Sequence, residues 1–306
     1  KNLRKTGHTM INPHPGLPEL EYVKPATLAE ACKFLEEHDG KAKPFSGGTD
    51  SFVRLRDGVI KLDYLVDIKG LEGTKELSFD PKKGLTIGAA VTMNQVAKHP
   101  DIIKYYPNLV AAVNSVASYQ LRNRATIVGN ICNASPAGDT IGTCMALDGV
   151  LNVTGIDGKR TIPLNAFFLA PGRTVLKAGD VVTSVTLPPP PAGMVGVYKK
   201  LGRNIISDLS IVGVAALGYP NSKSPSGYSF RIALASVAPV PYEALKAEAI
   251  LSEKKITAET IALAADASME AVTPIDDVRG SARYRKMMVR NLTREAITEV
   301  WQKLSK

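Results

Sequence analysis

The chain has 306 residues, of which 44% are apolar and 22% charged, with 25 glycines and 20 prolines. This composition excludes a disordered or low-complexity protein, and the length favours two or three packed units over one core. Basic residues outnumber acidic ones by 38 to 29, a net charge of +9, but no aromatic platform or nucleic-acid-binding module accompanies them, so we expect no nucleic-acid partner.

The sequence carries no signal for a membrane or a metal. No apolar stretch approaches the roughly 20 residues that span a bilayer, so we expect a soluble, cytoplasmic protein without a transmembrane segment. Three cysteines, Cys32, Cys132 and Cys144, cannot supply the four thiolates of an iron–sulfur cluster. The four histidines show no metal-ligand spacing. We expect reduced thiols and no metal site in this chain.

The first region, residues 21–75, alternates helix with strand. In PATLAEACKFLEEHDG (25–40), Thr27 and Glu30 predict a capping box, an apolar face follows at helical spacing, and Gly40 ends the helix. A short strand around 43–46, a Gly-Gly turn and a strand at 64–68 come next. We predict a small α/β unit here, with residues 1–20 as an extension that packs on a partner.

The second region, residues 76–190, has a different pattern. Its predicted elements are a strand at 85–88, a short helix at 92–100 stopped by Pro100, a helix at 109–119, a small-residue loop at 125–140, strands on both sides of an Asp157-Gly158 hairpin turn, and a strand at 181–187. Four consecutive prolines follow, and because they cannot continue a sheet, they mark a boundary.

The third region, residues 191–306, reads as an α+β unit. Its predicted elements are strands near 197–201, 211–216 and 231–238 and helices at 242–253, 257–272 and 281–304. Basic residues recur at three- to four-residue spacing between 277 and 294. This basic helix face is either solvated or makes an internal or subunit contact, and the sequence leaves both open.

Two small-residue segments carry the candidate chemistry. Ser46-Gly47-Gly48-Thr49-Asp50-Ser51 follows a strand, and its glycines allow backbone N–H groups to close on a phosphate or pyrophosphate. A Gly-Gly pair also makes ordinary tight turns, so the segment by itself leaves the question open.

The second segment is ATIVGNICNASPAGDT (125–140). Thr126, Gly129 and Asn130 offer hydrogen-bond donors, and Asp139 offers an acceptor suited to a sugar-like hydroxyl. Two such segments from successive units predict an extended dinucleotide held between them. The alternative is two unrelated turns, with Asp139 capping a helix at 140–147.

Seven motifs in order carry a family resemblance. They are PFSGGTDSF, LVDIKGL, LTIGAAVTMNQVAKHP, QLRNRATIVGNICNASPAGDT, TVLKAGDVVTSVTLP, YKKLGRNIISDLSIV and DVRGSARYRKMMVR. From about Glu21 to the carboxyl end, the chain resembles the FAD-binding medium subunit of the molybdenum hydroxylases, a family that includes the flavoprotein subunits of carbon monoxide dehydrogenase, nicotinate dehydrogenase and xanthine dehydrogenase.

The resemblance implies a fold and a function. The implied fold is α+β, a two-subdomain FAD-binding fold of the vanillyl-alcohol oxidase type (21–75 and 76–190) followed by a C-terminal α+β domain (191–306). The implied function is electron transfer through FAD, from [2Fe-2S] clusters to an external acceptor. The implied partners are a large subunit with a molybdenum cofactor and a small subunit with two [2Fe-2S] clusters, in a dimer of heterotrimers.

The resemblance also implies a set of FAD-binding residues and no catalytic side chain. At the pyrophosphate it implies Lys43, Phe45, Ser46, Gly47, Gly48, Thr49, Asp50 and Ser51. In the second segment it implies Thr126, Gly129 and Asn130 at the phosphates and Asp139 on the ribityl and flavin side. It implies Ala117 near the cofactor and Lys199 or Lys200 near the isoalloxazine ring.

One departure from the family pattern bears on this site. The family usually has Gly-Gly-Asn where this chain has Val128-Gly129-Asn130, and a β-branched residue would be strained there if the position required positive φ. A non-catalytic assembly subunit that has lost FAD therefore stays open. A stand-alone FAD-dependent reductase resembling UDP-N-acetylenolpyruvoylglucosamine reductase also stays open, because that enzyme shares the flavin fold and a similar first glycine loop.

Overall fold

A computed structural model of the chain describes residues 16–204 and 207–306. Most of the predicted extension at 1–20 therefore lies outside the described residues. In the described part, the strands form sheets of three, five and four strands and one two-stranded hairpin. No helix of this part is long and apolar enough to cross a membrane.

The first sheet is parallel, in the order β1-β3-β2. Its elements are β1 (Glu21–Val23), α1 (Leu28–Glu37), β2 (Ala42–Phe45), α2 (Ser51–Arg56) and β3 (Tyr64–Asp67). Thr27 caps α1 by accepting a hydrogen bond from the N–H of Glu30 at 3.1 Å, as predicted. The predicted capping box is incomplete, because the Glu30 carboxylate accepts from the N–H of Ala26, one residue before the cap.

The second sheet is antiparallel, in the order β4-β5-β10-β6-β7. Its strands are β4 (Leu77–Asp80), β5 (Gly84–Gly88), β6 (Val150–Gly155), β7 (Gly158–Pro163) and β10 (Val181–Leu187), with the hairpin of β8 (Phe168–Ala170) and β9 (Arg173–Thr174) inserted. The six helices between β5 and β6 are α3 (Met93–Lys98), α4 (Pro100–Tyr105), α5 (Pro107–Ser115), α6 (Tyr119–Arg122), α7 (Ile127–Asn133) and α8 (Asp139–Ala146).

Three predictions in this region need correction. Pro100 begins α4, because the first position of a helix tolerates a residue without an N–H. The predicted helix at 109–119 ends at Ser115, two residues before Ala117 takes a left-handed conformation with φ +41°. The predicted loop at 125–140 is mostly helical, in α7 and α8.

The third sheet is antiparallel, in the order β11-β12-β13-β14. Its region contains β11 (Val195–Leu201), β12 (Val212–Pro220), β13 (Tyr228–Ala235), β14 (Tyr242–Glu243), α9 (Leu245–Glu253), α10 (Ala258–Ala271) and α11 (Ala282–Leu304). Residues of β12 alternate between two cores: Val214 and Ala216 pack with α9–α11, whereas Ala215 and Leu217 pack with the core of the second sheet. The third sheet therefore lies between its own helices and helices α5 and α8.

Candidate functional site

A cavity of about 360 Å³ lies where the segment after β2 meets α7. Its volume is in the range of small-molecule sites in proteins. The predicted site residues that line it are Lys43, Ser46, Gly47, Gly48, Thr49, Asp50, Ser51, Thr126, Gly129 and Asn130. The two small-residue segments, about eighty residues apart in the sequence, therefore line the same cavity.

Gly47 allows the two segments to touch. A Cβ atom on Gly47 would lie 2.3 Å from the backbone oxygen of Arg124 and 3.3 Å from the Cα of Ala125. Gly48 has φ +75°, a conformation that favours glycine. The hydroxyl of Ser46 donates to the carbonyl of Ala89 at 2.8 Å, which attaches the first segment to the residue that follows β5.

The first segment presents backbone donors. Within the described part of the chain, the N–H groups of Gly47, Gly48, Thr49 and Asp50 have no acceptor. Residues 47–49 are half-buried, and Asp50 is exposed. Consecutive N–H groups on a turn of this kind form a concavity that binds anions.

Three cationic side chains line the same cavity, and one of them, Lys177, is paired with Asp157. Lys43 lies on β2 and Arg54 on α2, and neither makes an ion pair within residues 16–204 and 207–306. Burial lowers the pKa of Lys43, and the charge of Arg54 lowers it further. Burial also raises the pKa of Asp50, which Arg54 partly opposes. A polyanion such as a pyrophosphate would relieve the repulsion between Lys43 and Arg54.

The second segment contains α7 and the first residues of α8. Thr126 is the N-cap of α7, and its hydroxyl accepts from the N–H of Gly129 at 2.9 Å. Val128 lies inside the helix and is not among the residues with positive φ, so its β-branched side chain is unstrained. Val128 is buried and lines the cavity. The backbone strain that a positive φ would cause is therefore absent, because the helical conformation of α7 suits valine.

Asp139 lies outside this cavity, at the start of α8. Its Oδ1 accepts from the hydroxyl of Tyr198 at 2.8 Å and its Oδ2 from the ammonium of Lys200 at 2.7 Å. Burial raises the pKa of Asp139, and the charge of Lys200 partly opposes that rise. The alternative role as a helix cap is wrong, because Gly138 is the N-cap of α8 and no side chain caps it.

Lys199 and Lys200 point to opposite faces of β11. Lys200 faces the second region, where its ammonium also donates to the carbonyl of Ser115 at 2.9 Å. Lys199 makes ion pairs with Glu295 and Glu299 of α11, at 2.9 and 2.6 Å, beside a surface cleft of that helix. Of the two candidate lysines, Lys200 is therefore the one that faces the second region.

Two further predicted residues also lie outside the cavity lining. Phe45 is buried behind the first segment, with its ring 5.1 Å from that of Phe52. Ala117 lies between α5 and α6, and the carbonyl oxygens of Val116 and Ala117 accept from the guanidinium of Arg122 at 2.6 and 3.2 Å.

Several lining residues were not predicted from the sequence. Arg54 follows the first segment by one helical turn, a signal that sequence reasoning overlooked. Asp180, paired with Arg160, directly precedes β10, and no local pattern links it to the cavity. Cys132 also lines the cavity, and burial raises the pKa of its thiol to about 12, which keeps it protonated.

Comparison with known proteins identifies the family. The model for the FAD binding domain in molybdopterin dehydrogenase matches residues 18–190, and the model for the CO dehydrogenase flavoprotein C-terminal domain matches residues 196–300. The chain belongs to this family. The family places it among the oxidoreductases.

Individual molybdopterin dehydrogenase flavoproteins match over nearly their whole length. The glyceraldehyde dehydrogenase medium chain of Sulfolobus acidocaldarius is 30% identical, with 92% of this chain and 99% of that protein covered. The xanthine dehydrogenase FAD-binding subunit of Escherichia coli is 28% identical, with 91% and 94% covered. A solved structure of carbon monoxide dehydrogenase from Hydrogenophaga pseudoflava, which lacks the Mo-pyranopterin moiety of its cofactor, is 29% identical, with a TM-score of 0.89 and 94% and 99% covered.

The residues present fit FAD. The consecutive N–H groups at 47–50, which have no acceptor among residues 16–204 and 207–306, and the cations Lys43 and Arg54 suit its pyrophosphate. The close approach that Gly47 allows brings the donors of α7 beside them. The donor set therefore agrees with the family assignment on grounds independent of sequence similarity.

Proposed function

We propose that this chain is the FAD-containing electron-transfer subunit of a multi-subunit molybdenum hydroxylase. In this proposal it receives electrons from the [2Fe-2S] clusters of a small partner subunit and passes them to an external acceptor. A large partner subunit carries the molybdenum cofactor, and the complex is a cytoplasmic dimer of heterotrimers. The observation that carries the proposal is the cavity in which two separate donor-rich segments meet.

The names of the relatives support the multi-subunit part of the proposal. Two of them are medium chains or FAD-binding subunits of dehydrogenases, and they match this chain over more than nine-tenths of its length. A medium chain is named relative to larger and smaller ones, so we expect the substrate-transforming site in another polypeptide. The organic substrate then depends on that polypeptide.

The roles of individual residues follow from their contacts. The N–H groups of residues 47–50 bind the pyrophosphate, and Lys43 and Arg54 neutralise its charge. Lys200 is the cation assigned to the electron-accepting ring, held in place by Asp139 and by the carbonyl of Ser115. FAD, when bound, supplies the redox chemistry, since it exchanges electrons singly or in pairs.

The test is the visible absorption spectrum of the purified native protein, with co-purifying chains identified by mass. We expect flavin bands at roughly 375 and 450 nm, FAD released by acid, and two partners, one of them containing iron and sulfide. The variant Gly47→Ala, whose new methyl group would clash with the backbone of Arg124, should purify with partners but with much less flavin.

Two other results would replace the proposal. A yellow protein without partners, able to oxidise a reduced nicotinamide and reduce its own substrate, would be the stand-alone reductase. A colourless protein that still binds an iron–sulfur partner would be an assembly subunit without FAD, and the cavity would then need another ligand.

A further inference from the structure

The side chain of Asn130 is held by a residue of the next helix. The hydroxyl of Thr140, on α8, lies 2.7 Å from Oδ1 of Asn130, on α7, and donates a hydrogen bond to it. Thr140 is fully buried, whereas Asn130 is half-buried and lines the cavity. The contact therefore joins a buried support to a residue of the ligand site.

The space around Asn130 is shaped for its amide oxygen. A Cβ atom at Gly138 would lie 3.2 Å from Oδ1 of Asn130, so the glycine leaves room for this oxygen beside α8. Within the described residues, Nδ2 of Asn130 has no hydrogen-bond acceptor, and it is not among the buried unsatisfied atoms. The amide group is planar, so an oxygen fixed on the α8 side turns the NH₂ group away from α8.

We propose that Thr140 is a positioning residue for the cavity. Its hydroxyl fixes the orientation of the Asn130 amide, so that the amide offers NH₂, and not its oxygen, to the ligand. The ligand atom at this position is a hydrogen-bond acceptor, a phosphate or carbonyl oxygen. The inference rests on the proposed function, in which the ligand is FAD.

Thr140 and its neighbour Asp139 form hydrogen bonds with different elements of the fold. Asp139 bonds Tyr198 and Lys200 of β11, while Thr140 bonds Asn130 of α7. The first turn of α8 thus supports two sides of the site through consecutive residues. Without the Thr140 hydroxyl, the amide of Asn130 is free to rotate, and a terminal amide rotates between two similar orientations.

The test compares FAD dissociation constants of the full chain after its flavin has been removed, measured by flavin fluorescence. Thr140→Val removes the hydroxyl, and Thr140→Ser keeps it. We expect Thr140→Val to raise the dissociation constant about five- to tenfold, the effect of one hydrogen bond, and Thr140→Ser to stay within about twofold of the parent protein. Thermal unfolding of each flavin-free variant reports whether the change in affinity is separate from stability.

A double variant isolates the role of Asn130. In the Asn130→Ala protein, which has no amide to orient, adding Thr140→Val should leave the FAD dissociation constant unchanged within about twofold. The inference is overturned if Thr140→Val binds FAD like the parent protein, or if it weakens binding equally with and without Asn130. A parent protein that binds no FAD would instead refute the proposed function, so the two failures are distinguishable.

Discussion

Lys200 and Asp139 form a buried ion pair, with Nζ of the lysine 2.7 Å from Oδ2 of the aspartate. The side chains are only 13% and 8% exposed, so each charge depends on the other for compensation. The pair joins β11 of the third sheet to α8, which begins at the end of the second candidate segment. It connects the C-terminal region to the region of the cavity.

Removing the lysine should destabilise the chain. In Lys200→Met, the Asp139 carboxylate keeps its bond from Tyr198 but loses its cation, and breaking one side of a buried pair typically costs about 3–5 kcal/mol. Urea unfolding at neutral pH measures the loss. Lys246→Met is the matched control, because Lys246 and Glu270 form an exposed pair whose removal should change stability by about 0–1 kcal/mol.

The same variant should show a diagnostic pH dependence. Burial raises the pKa of Asp139, and Lys200 opposes that rise, so the pKa is higher still in Lys200→Met. A carboxyl group whose pKa is higher in the folded than in the unfolded chain binds its proton preferentially when folded, so stability falls as pH rises through the folded pKa. The deficit relative to the parent protein should be smaller at about pH 5 than at about pH 8. Equal deficits would contradict this account.

Gly47→Ala should separate the two segments of the cavity. The new methyl group would lie 2.3 Å from the backbone oxygen of Arg124, and overpacking of this kind costs about 1–3 kcal/mol. We expect a lower thermal midpoint and a substoichiometric flavin content. Gly70→Ala is the control, since its Cβ meets nothing within 4 Å, and it should match the parent protein in both measurements. Full flavin content in Gly47→Ala would argue against a ligand bridging the segments.

Lys43 and Arg54, the cavity cations without an ion pair in the described residues, should act on the phosphates of the ligand. Lys43→Met and Arg54→Gln should each weaken FAD binding by about three- to tenfold, with a smaller dependence of affinity on salt concentration. Riboflavin lacks the phosphates, so its binding should be insensitive to both changes. Arg56→Gln, on the same helix but outside the cavity lining and paired with Asp57, serves as the control. A similar loss for riboflavin would indicate disturbed folding rather than lost charge.

Arg285, on the basic helix α11, should contribute strongly to the stability of the folded chain. It is 1% exposed and donates to the carbonyls of Ile211 and Ser236 at 2.8 and 3.0 Å and to Asp277 at 2.7 Å. Arg285→Met removes these bonds and should lower the free energy of unfolding by about 3–5 kcal/mol. Arg283→Met, at an exposed position of the same helix, should change it by no more than about 0.5 kcal/mol. Chemical denaturation of the two variants side by side measures both.

Helix α11 shows which features of a helix can be predicted from sequence alone. The spacing of its basic residues predicted α11 and left solvation and internal contact open. Both alternatives occur on this helix: Arg285 is buried and makes internal contacts, whereas Arg283 is exposed to solvent. Helical periodicity shows that two residues lie on different faces, but only the packed neighbours determine which face is buried.

Elements with strong local signals were predicted well. The strand predicted at 181–187 is β10, Val181–Leu187, and the cap at Thr27 begins α1. The segment at 125–140 was predicted as a loop because small and polar residues, including Gly129, have low helix propensity. It forms α7 because Ile127, Val128 and Ile131 are buried there, and this burial outweighs the propensity.

The sequence by itself determined the family, the order of the elements and the two segments that line the cavity, because motifs, caps and alternation are local patterns. Only the tertiary structure decided which candidates share the cavity. It added Arg54, Asp180 and the support from Thr140, and it placed Asp139 with Lys200 and Lys199 with α11. The physical reason is that these contacts join residues from different sheets and helices, so they exist only once the cores that bury those elements have packed.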